Sequence, residues 1–299
     1  MGSALTTIAL PVALGIIMLG LGLTLTLGDF ARIAKHPKAV IIALACQLLV
    51  LPAVCFGLVL AFQLPPVLAV GMLLLAASPG GTTANLYSHL FRGDVALNIS
   101  LTAVNSVISV LTLPLITNFA LGYFMGTDDG LAIEFTEALK VFAIVLVPVA
   151  IGMLVRRWKP GFADSMDKPV RIASMVILAV VIVGAIISNK EILAENFGQL
   201  AFITILFCLV SLTIGYVVPK LFRVSKPQAI ASSFEIGIHN ATLSIVIAQT
   251  VLNSIELSLP AAVYGVLMFF VAAGWGFVIS SSRHRSSSEG LDRSAVDAR

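Results

Sequence analysis

Glu235, His239 and Asn240 lie within FEIGIHNATLS, residues 234–244, inside an apolar run long enough to cross a bilayer. A charge at the centre of a spanning helix costs about 2.5–3.5 kcal/mol on insertion scales, so a carboxylate there needs a partner. Of the fifteen Asp and Glu residues, fourteen lie in loops, near the ends of spans or in the C-terminal tail; Glu235 alone falls well inside a span. No Lys or Arg occurs at the same depth, which leaves a bound cation or a proton.

The other polar groups expected at that depth are Gln47, then Thr82, Thr83 and Asn85 in ASPGGTTAN (77–85), then Asn98, Thr102 and Asn105. Almost all of them offer oxygen. Oxygen ligands suit hard cations, whereas thiolates and several imidazoles would suit zinc or copper. One carboxylate among neutral oxygens, with unwound backbone carbonyls nearby, is the chemistry of a Na⁺ site. Asn98, Thr102 and Asn105 recur at spacings of four and three, which puts them on one helix face; interhelical hydrogen bonding would explain such a stripe as well. His239 follows Glu235 by one helical turn, so it can offer a ring nitrogen to a cation, hydrogen-bond the carboxylate or titrate with it; a structural, hydrogen-bonded role is the alternative. The free N–H groups of interrupted helices would seat an anionic substrate.

These residues need a membrane scaffold. The chain has 299 residues, 59% hydrophobic and 11% charged, with mean hydropathy +1.04. Soluble domains carry about 25% charged residues, so the composition is that of an all-α polytopic membrane protein. A net charge of +3 is too small to argue for a nucleic-acid partner. Cys46, Cys55 and Cys208 sit in apolar stretches without CxxC spacing and read as buried thiols.

Nine segments meet the length of about 20 apolar residues that a spanning helix requires: about 4–27, 39–62, 64–88, 94–124, 135–155, 169–188, 198–219, 227–250 and 257–281. The remainder, 283–299, is polar, aperiodic and expected to be disordered. With nine crossings, sixteen of the eighteen Lys and Arg residues fall on one side and only Lys140 and Lys190 on the other, beside the acidic stretch TDDGLAIEFTE. The positive-inside rule then places the N-terminus outside and the C-terminus in the cytoplasm of a cell-membrane protein.

The third segment is interrupted by Pro79, Gly80 and Gly81, and the eighth by Gly237 close to Glu235. They lie five helices apart, an odd number, so repeats containing them would be inverted across the membrane. Each follows a span with a proline (Pro52, Pro219), and each break ends in an asparagine, Asn85 or Asn240. Interrupted segments in corresponding positions point to a transporter binding site.

With those motifs in hand, the chain resembles the bile acid:sodium symporter family over nearly all of its membrane portion. ASPGGTTANLYSHLFRGDVALNISLT resembles the family's first crossing helix and the span after it, and FEIGIHNATLS its second. The resemblance implies a membrane domain over 1–282, with a core of helices two to four and seven to nine (about 39–124 and 198–281). A panel of helices one, five and six (about 4–27 and 135–188) would move against that core. It also implies one sodium site at the Ala84 carbonyl, Asn85, Asn98, Thr102 and Glu235. A second would use Gln47, Glu235, the carbonyls of Ile236 and Ile238, and residue 239. Thr82, Thr83, Asn105 and Asn240 would face the substrate. Three positions depart from the family pattern: alanine at 84 and asparagine at 98 where serine is familiar, and histidine at 239 where glutamine is usual.

The expected function is sodium-coupled symport of an organic anion, a bile-acid-like compound or a small carboxylate or sulfonate, by alternating access with one or two Na⁺. Proton coupling through Glu235 and His239 is the closest alternative. The related arsenite-exporter fold relies on a cysteine near the break, where this chain has none. An intramembrane enzyme would need a nucleophile–base pair, paired aspartates or HExxH, and none is visible.

Overall fold

The computed structural model describes residues 10–126, 135–188 and 190–281. Residues 4–9 of the expected first helix, most of the acidic stretch after Gly126 and the tail over 283–299 lie outside these.

The described chain is helical, and its only extended feature is one isolated bridge between Gly80 and His239. Helix α1, Leu10–Thr24, bends by 66° into a short α2, Leu27–Arg32. This bend divides what sequence alone reads as one span to residue 27. Asp29 holds it: its Oδ2 accepts from the Thr26 N–H at 2.8 Å and the Thr26 hydroxyl at 2.7 Å. The second span comprises α3 (Pro37–Ala45), a π-helical segment over Cys46–Val50, and α4 (Leu51–Ala61). There follow α5 (Pro66–Ala77), α6 (Thr83–Leu90), α7 (Val95–Phe124), α8 (Phe135–Trp158), α9 (Pro160–Ser188), α10 (Lys190–Leu221), α11 (Lys226–Gly237), α12 (Ala241–Thr250) and α13 (Leu259–Ser281). Helix α9 starts nine residues earlier than sequence reading places it, with Pro160 at its first position, where a missing N–H costs nothing.

Among the described residues, four helical stretches are long and apolar enough to cross a bilayer alone: Pro37–Ala61, Val95–Phe124, Ala194–Leu221 and Glu256–Ser280. The bent α1–α2 pair adds a fifth if it counts as one span. Helices α5 and α11 have 12 residues each, about 18 Å, roughly half the hydrocarbon thickness. Their ends therefore fall near mid-membrane.

The turns entering these two half-helices are built alike. In the first, the Gln63 N–H reaches the Leu60 carbonyl and the Leu64 N–H the Val59 carbonyl; in the second, Arg223 reaches Lys220 and Val224 reaches Pro219. Gln63 (φ 50°) and Arg223 (φ 59°) occupy the left-handed region that ends a helix in a Schellman motif. The residue numbers of the two turns, and of α5 and α11, differ by 160 throughout. The capping positions correct one sequence-level match. Asn240 immediately precedes α12 and caps it, the position that Thr82 takes before α6, so the offset falls to 158 across the breaks; Asn85 is the third residue of α6 and matches neither.

Helix α1 packs chiefly on α8 and then on α9, α10 on α11 and α13, and α5 on α7. Gly22 and Gly152 let α1 and α8 touch along their backbones: a Cβ at Gly22 would overlap the Val149 backbone, and one at Gly152 the backbone around Leu19 and Gly22. Neither neighbour can move as a flexible side chain could. Gly22→Ala is therefore expected to destabilise the protein by about 1–3 kcal/mol, read as a lowered unfolding temperature in detergent.

Candidate ion and substrate site

Helix α5 stops because Ser78 turns extended (ψ 147°), Pro79 lacks an N–H and two glycines follow. Helix α11 stops at Gly237, after which Ile238 leaves helical geometry (φ −114°, ψ 87°). The two freed segments then meet antiparallel. The Gly81 N–H donates to the Ile238 carbonyl at 2.7 Å, and the Asn240 N–H donates to the Pro79 carbonyl at 2.8 Å. Backbone groups that leave a helix inside a membrane must find partners within the protein, and each break supplies them to the other.

This pairing lays Glu235 over Gly80. A Cβ at residue 80 would come within 2.3 Å of the Glu235 carboxyl group, which would have to shift to admit it. Glu235 is 1% exposed. Its Oε2 accepts from the Thr102 hydroxyl at 2.5 Å, a hydroxyl that also lies 3.1 Å from the Asn98 carbonyl. One hydroxyl hydrogen cannot serve both, and the shorter contact to the carboxylate is the stronger. Asn105 and the Gly80 N–H also approach the carboxyl, yet Oε1 has no partner of good hydrogen-bond geometry.

Around it lie side-chain amides turned one way. Asn98 donates through Nδ2 to the Ser88 hydroxyl at 2.7 Å and to the Ala231 carbonyl at 2.8 Å, which fixes the amide and leaves Oδ1 buried and unpartnered. Gln47, in the π-helical segment, donates through Nε2 to the Ser78 carbonyl at 3.0 Å and leaves Oε1 in the same state. Asn85 Oδ1 and Asn105 Oδ1 are likewise buried without partners. With Glu235 Oε1, these make five orphaned oxygens, all acceptors. Buried polar groups are rarely left unpaired, and acceptors alone call for a cation or a donor from outside the chain. Among the described residues, no three His, Cys, Asp or Glu side chains cluster as metal ligands. The donor set fits a hard monovalent cation better than a transition metal.

The remaining sequence candidates divide. Asn105, read from sequence as facing the substrate, sits with the carboxylate. Ala84 is buried, and its N–H reaches the Gly81 carbonyl at 2.9 Å. The Ile238 carbonyl already accepts from Gly81, and Ile236 belongs to the last turn of α11. Asn240 uses Oδ1 to cap α12 through the Leu243 N–H at 3.1 Å. Thr82 is exposed and Thr83 half-buried, both at the start of α6. His239 is fully buried and stacks on Phe207 with ring centroids 5.5 Å apart and planes 3° apart; Tyr264 lies 5.5 Å away on a tilted plane. Neither ring nitrogen has a partner of good geometry. Tyr264 also donates to the Gly237 carbonyl at 2.8 Å, tying α13 to the break. Sequence reading missed Ser88, Ala231, Phe207 and Tyr264. No spacing rule could have found them, because each acts across helices.

A helical bundle in which two interrupted helices cross over a buried carboxylate ringed by acceptor oxygens defines a class, the secondary transporters with discontinuous helices. Comparison with known proteins supports this assignment. A model described as the Sodium Bile acid symporter family matches residues 11–196. The chain belongs to that family and is a membrane transporter, not an enzyme. The “Uncharacterized sodium-dependent transporter YocS” of Bacillus subtilis (strain 168) is 32% identical over 258 residues, which cover 85% of this chain and 77% of that one. “Probable sodium/metabolite cotransporter BASS2, chloroplastic” of Oryza sativa subsp. japonica is 28% identical over 258 residues, 86% of this chain. “Probable sodium/metabolite cotransporter BASS1, chloroplastic” of Arabidopsis thaliana is 27% identical over 258 residues, 85% of this chain. The chain spans 60% and 62% of the length of these two plant relatives.

Gly80→Ala is expected to lose about 1–3 kcal/mol of stability, since the new Cβ must displace the Glu235 carboxyl. Gly184→Ala, where a Cβ meets open space, is expected to be neutral or slightly stabilising in the same thermal melts.

Proposed function

We propose that the chain is a sodium-coupled symporter of a small organic anion that works by alternating access. The observation that carries this reading is the set of five buried acceptor oxygens without partners, from Gln47, Asn85, Asn98, Asn105 and Glu235, on the segments that form and flank the two interrupted helices. In this reading Asn85, Asn98, Thr102 and Glu235, with the Ala84 carbonyl, hold one Na⁺. Gln47, Glu235, His239 and the carbonyls of Ile236 and Ile238 surround the place where a second would sit. A cation there joins side chains from α3–α4, α6, α7 and α11 that otherwise leave acceptors unpaired, so ion binding stabilises one arrangement of the crossing. The anion then meets the starts of α6 and α12, with Thr82, Thr83 and Asn240 at hand and the N–H ends of both half-helices facing it.

The mobile parts in this reading are a core of α3–α7 and α10–α13 and a panel of α1, α8 and α9. The packing of α1 on α8 and α9, and of α10 on α11 and α13, supports the division. Nine crossings follow when α5–α6 and α11–α12 each count as one and α8 and α9 are added. The lysine and arginine distribution supports an outside N-terminus and a cytoplasmic C-terminus in the cell membrane. Each Na⁺ moving inward gains about 2.3 kcal/mol per 100 mV in addition to its concentration gradient. One Na⁺ with a monoanion is electroneutral, and two carry one net positive charge.

Uptake of candidate anions into vesicles, with and without a sodium gradient, tests the coupling. Wild type should require the gradient and Glu235→Gln should lose the dependence; equal uptake without sodium by both would refute the proposal, and uptake that follows pH while ignoring sodium would select proton coupling instead. Asn98→Ala should raise the sodium concentration for half-maximal uptake by about tenfold, the effect of one lost charge-assisted contact. His239→Gln is expected to change the charge moved per anion, measured as current against tracer flux; an unchanged ratio would make the imidazole a structural group.

A further inference from the structure

Helix α7 continues beyond the ion site with a polar face that the proposed coupling does not use. Its thirty residues include no charged side chain, yet past Asn105 of the ion site, Ser106, Ser109 and Thr117 lie on its buried side, with exposures of 4, 2 and 0%. From Thr102, which touches Glu235, the steps are four residues to Ser106, three to Ser109 and eight, about two turns, to Thr117. The row runs about 22 Å along the helix axis.

The hydroxyls present one kind of atom. Ser106 donates to the Thr102 carbonyl at 2.7 Å and Ser109 to the Ser106 carbonyl at 2.9 Å, so their hydrogens point back along the helix and their lone pairs face away from it. Pro114 cannot supply the N–H that the Val110 carbonyl would take in an unbroken helix, which adds a backbone acceptor between Ser109 and Thr117. Thr117 Oγ1 is fully buried and makes no hydrogen bond at all, although a threonine in a helix can reach back one turn, as Thr204 does to the Leu200 carbonyl. Helix α5, which packs most extensively on α7, has the sequence PVLAVGMLLLAA and carries no polar side chain to satisfy these oxygens. The row is flanked by unpartnered acceptors, Asn105 Oδ1 toward the carboxylate and Thr117 Oγ1 toward the far end.

We infer that the Ser106–Thr117 face of α7 is a transit site for a monovalent cation, through which the coupling ion reaches Glu235. The inference rests on the sodium reading of the Glu235 site, and on the orientation that sets the end of α7 toward the outside. A lane lined by acceptors attracts cations and repels anions, so ion and substrate use separate routes and the ion can bind first.

Two measurements on the purified full chain separate a route from a binding site: equilibrium radiosodium binding, and the rate of radiosodium exchange across proteoliposomes. Ser109→Ala, Thr117→Val and the double variant should slow exchange by about tenfold while equilibrium binding stays within about twofold of wild type, the signature of a raised barrier without a changed end state. Retained binding also shows that the variants fold. Ser109→Thr and Thr117→Ser, which keep the oxygen, should exchange at the wild-type rate. Unchanged exchange in the double variant overturns the inference. So does a loss of equilibrium affinity by the same factor as the rate, because the oxygens would then belong to the binding site itself. Wild-type protein that binds no radiosodium refutes the sodium reading, and the route falls with it.

Discussion

Two backbone hydrogen bonds organise the centre of this molecule, from Gly81 to the Ile238 carbonyl and from Asn240 to the Pro79 carbonyl. Interrupting one helix inside a bilayer frees N–H and C=O groups that lipid cannot satisfy. Interrupting two helices at the same depth solves the difficulty if the breaks lie side by side, and here they do. The arrangement has a steric consequence. The last turn of α11 is carried so close to Pro79–Gly81 that the Glu235 carboxyl occupies the place of a side chain at residue 80. The backbone pairing therefore also sets where the carboxylate lies.

Around that crossing the hydrogen-bond donors are turned outward from the site and the acceptors inward. Asn98 shows how: Ser88 on α6 and Ala231 on α11 take its amide hydrogens, and its oxygen is left where α7 faces the carboxylate. Gln47 is held in the same sense by the Ser78 carbonyl, from a π-helical segment whose extra residue per turn re-aims side chains. Each unpaired buried acceptor costs about 1–3 kcal/mol. A cation that satisfies several together recovers that cost by drawing α3–α4, α6, α7 and α11 into one arrangement, which is how a small ion could control large helices. His239 is held in a different way. Stacked on Phe207 and next to Tyr264, it is held by ring contacts across the break.

The helices around the crossing are packed closely against one another. Glycines bring α1 against α8 and α10 against α11: a Cβ at Gly22 would strike the Val149 backbone and one at Gly215 the Ser232–Ser233 backbone. Such contacts are dense and non-adaptable, because backbone meets backbone with no flexible side chain between. The contact of α9 with α13 is lighter, with Ile182 reaching Gly265. The α1–α2 bend is fixed by the Asp29 carboxylate on Thr26.

Much of this was legible in the sequence because the bilayer makes certain residues costly. Glu235, the PGG interruption and the glycine after Glu235 stand out against apolar surroundings, and the spacing of Asn98, Thr102 and Asn105 follows from helix geometry alone. The two interrupted segments in corresponding positions suggested a repeat, and the turns at Gln63 and Arg223 that enter them are built alike. Those turns were themselves invisible, since neither glutamine nor arginine signals a left-handed backbone. The correspondence of Asn85 with Asn240 misled because counting along a sequence cannot tell a capping residue from one a turn inside the helix. Which way each amide points, that a side chain at residue 80 would occupy the Glu235 carboxyl's place, and that His239 stacks on Phe207 were decided only by tertiary structure. Each is a contact between helices, and helix propensity and hydrophobic periodicity carry no information about what stands across the gap.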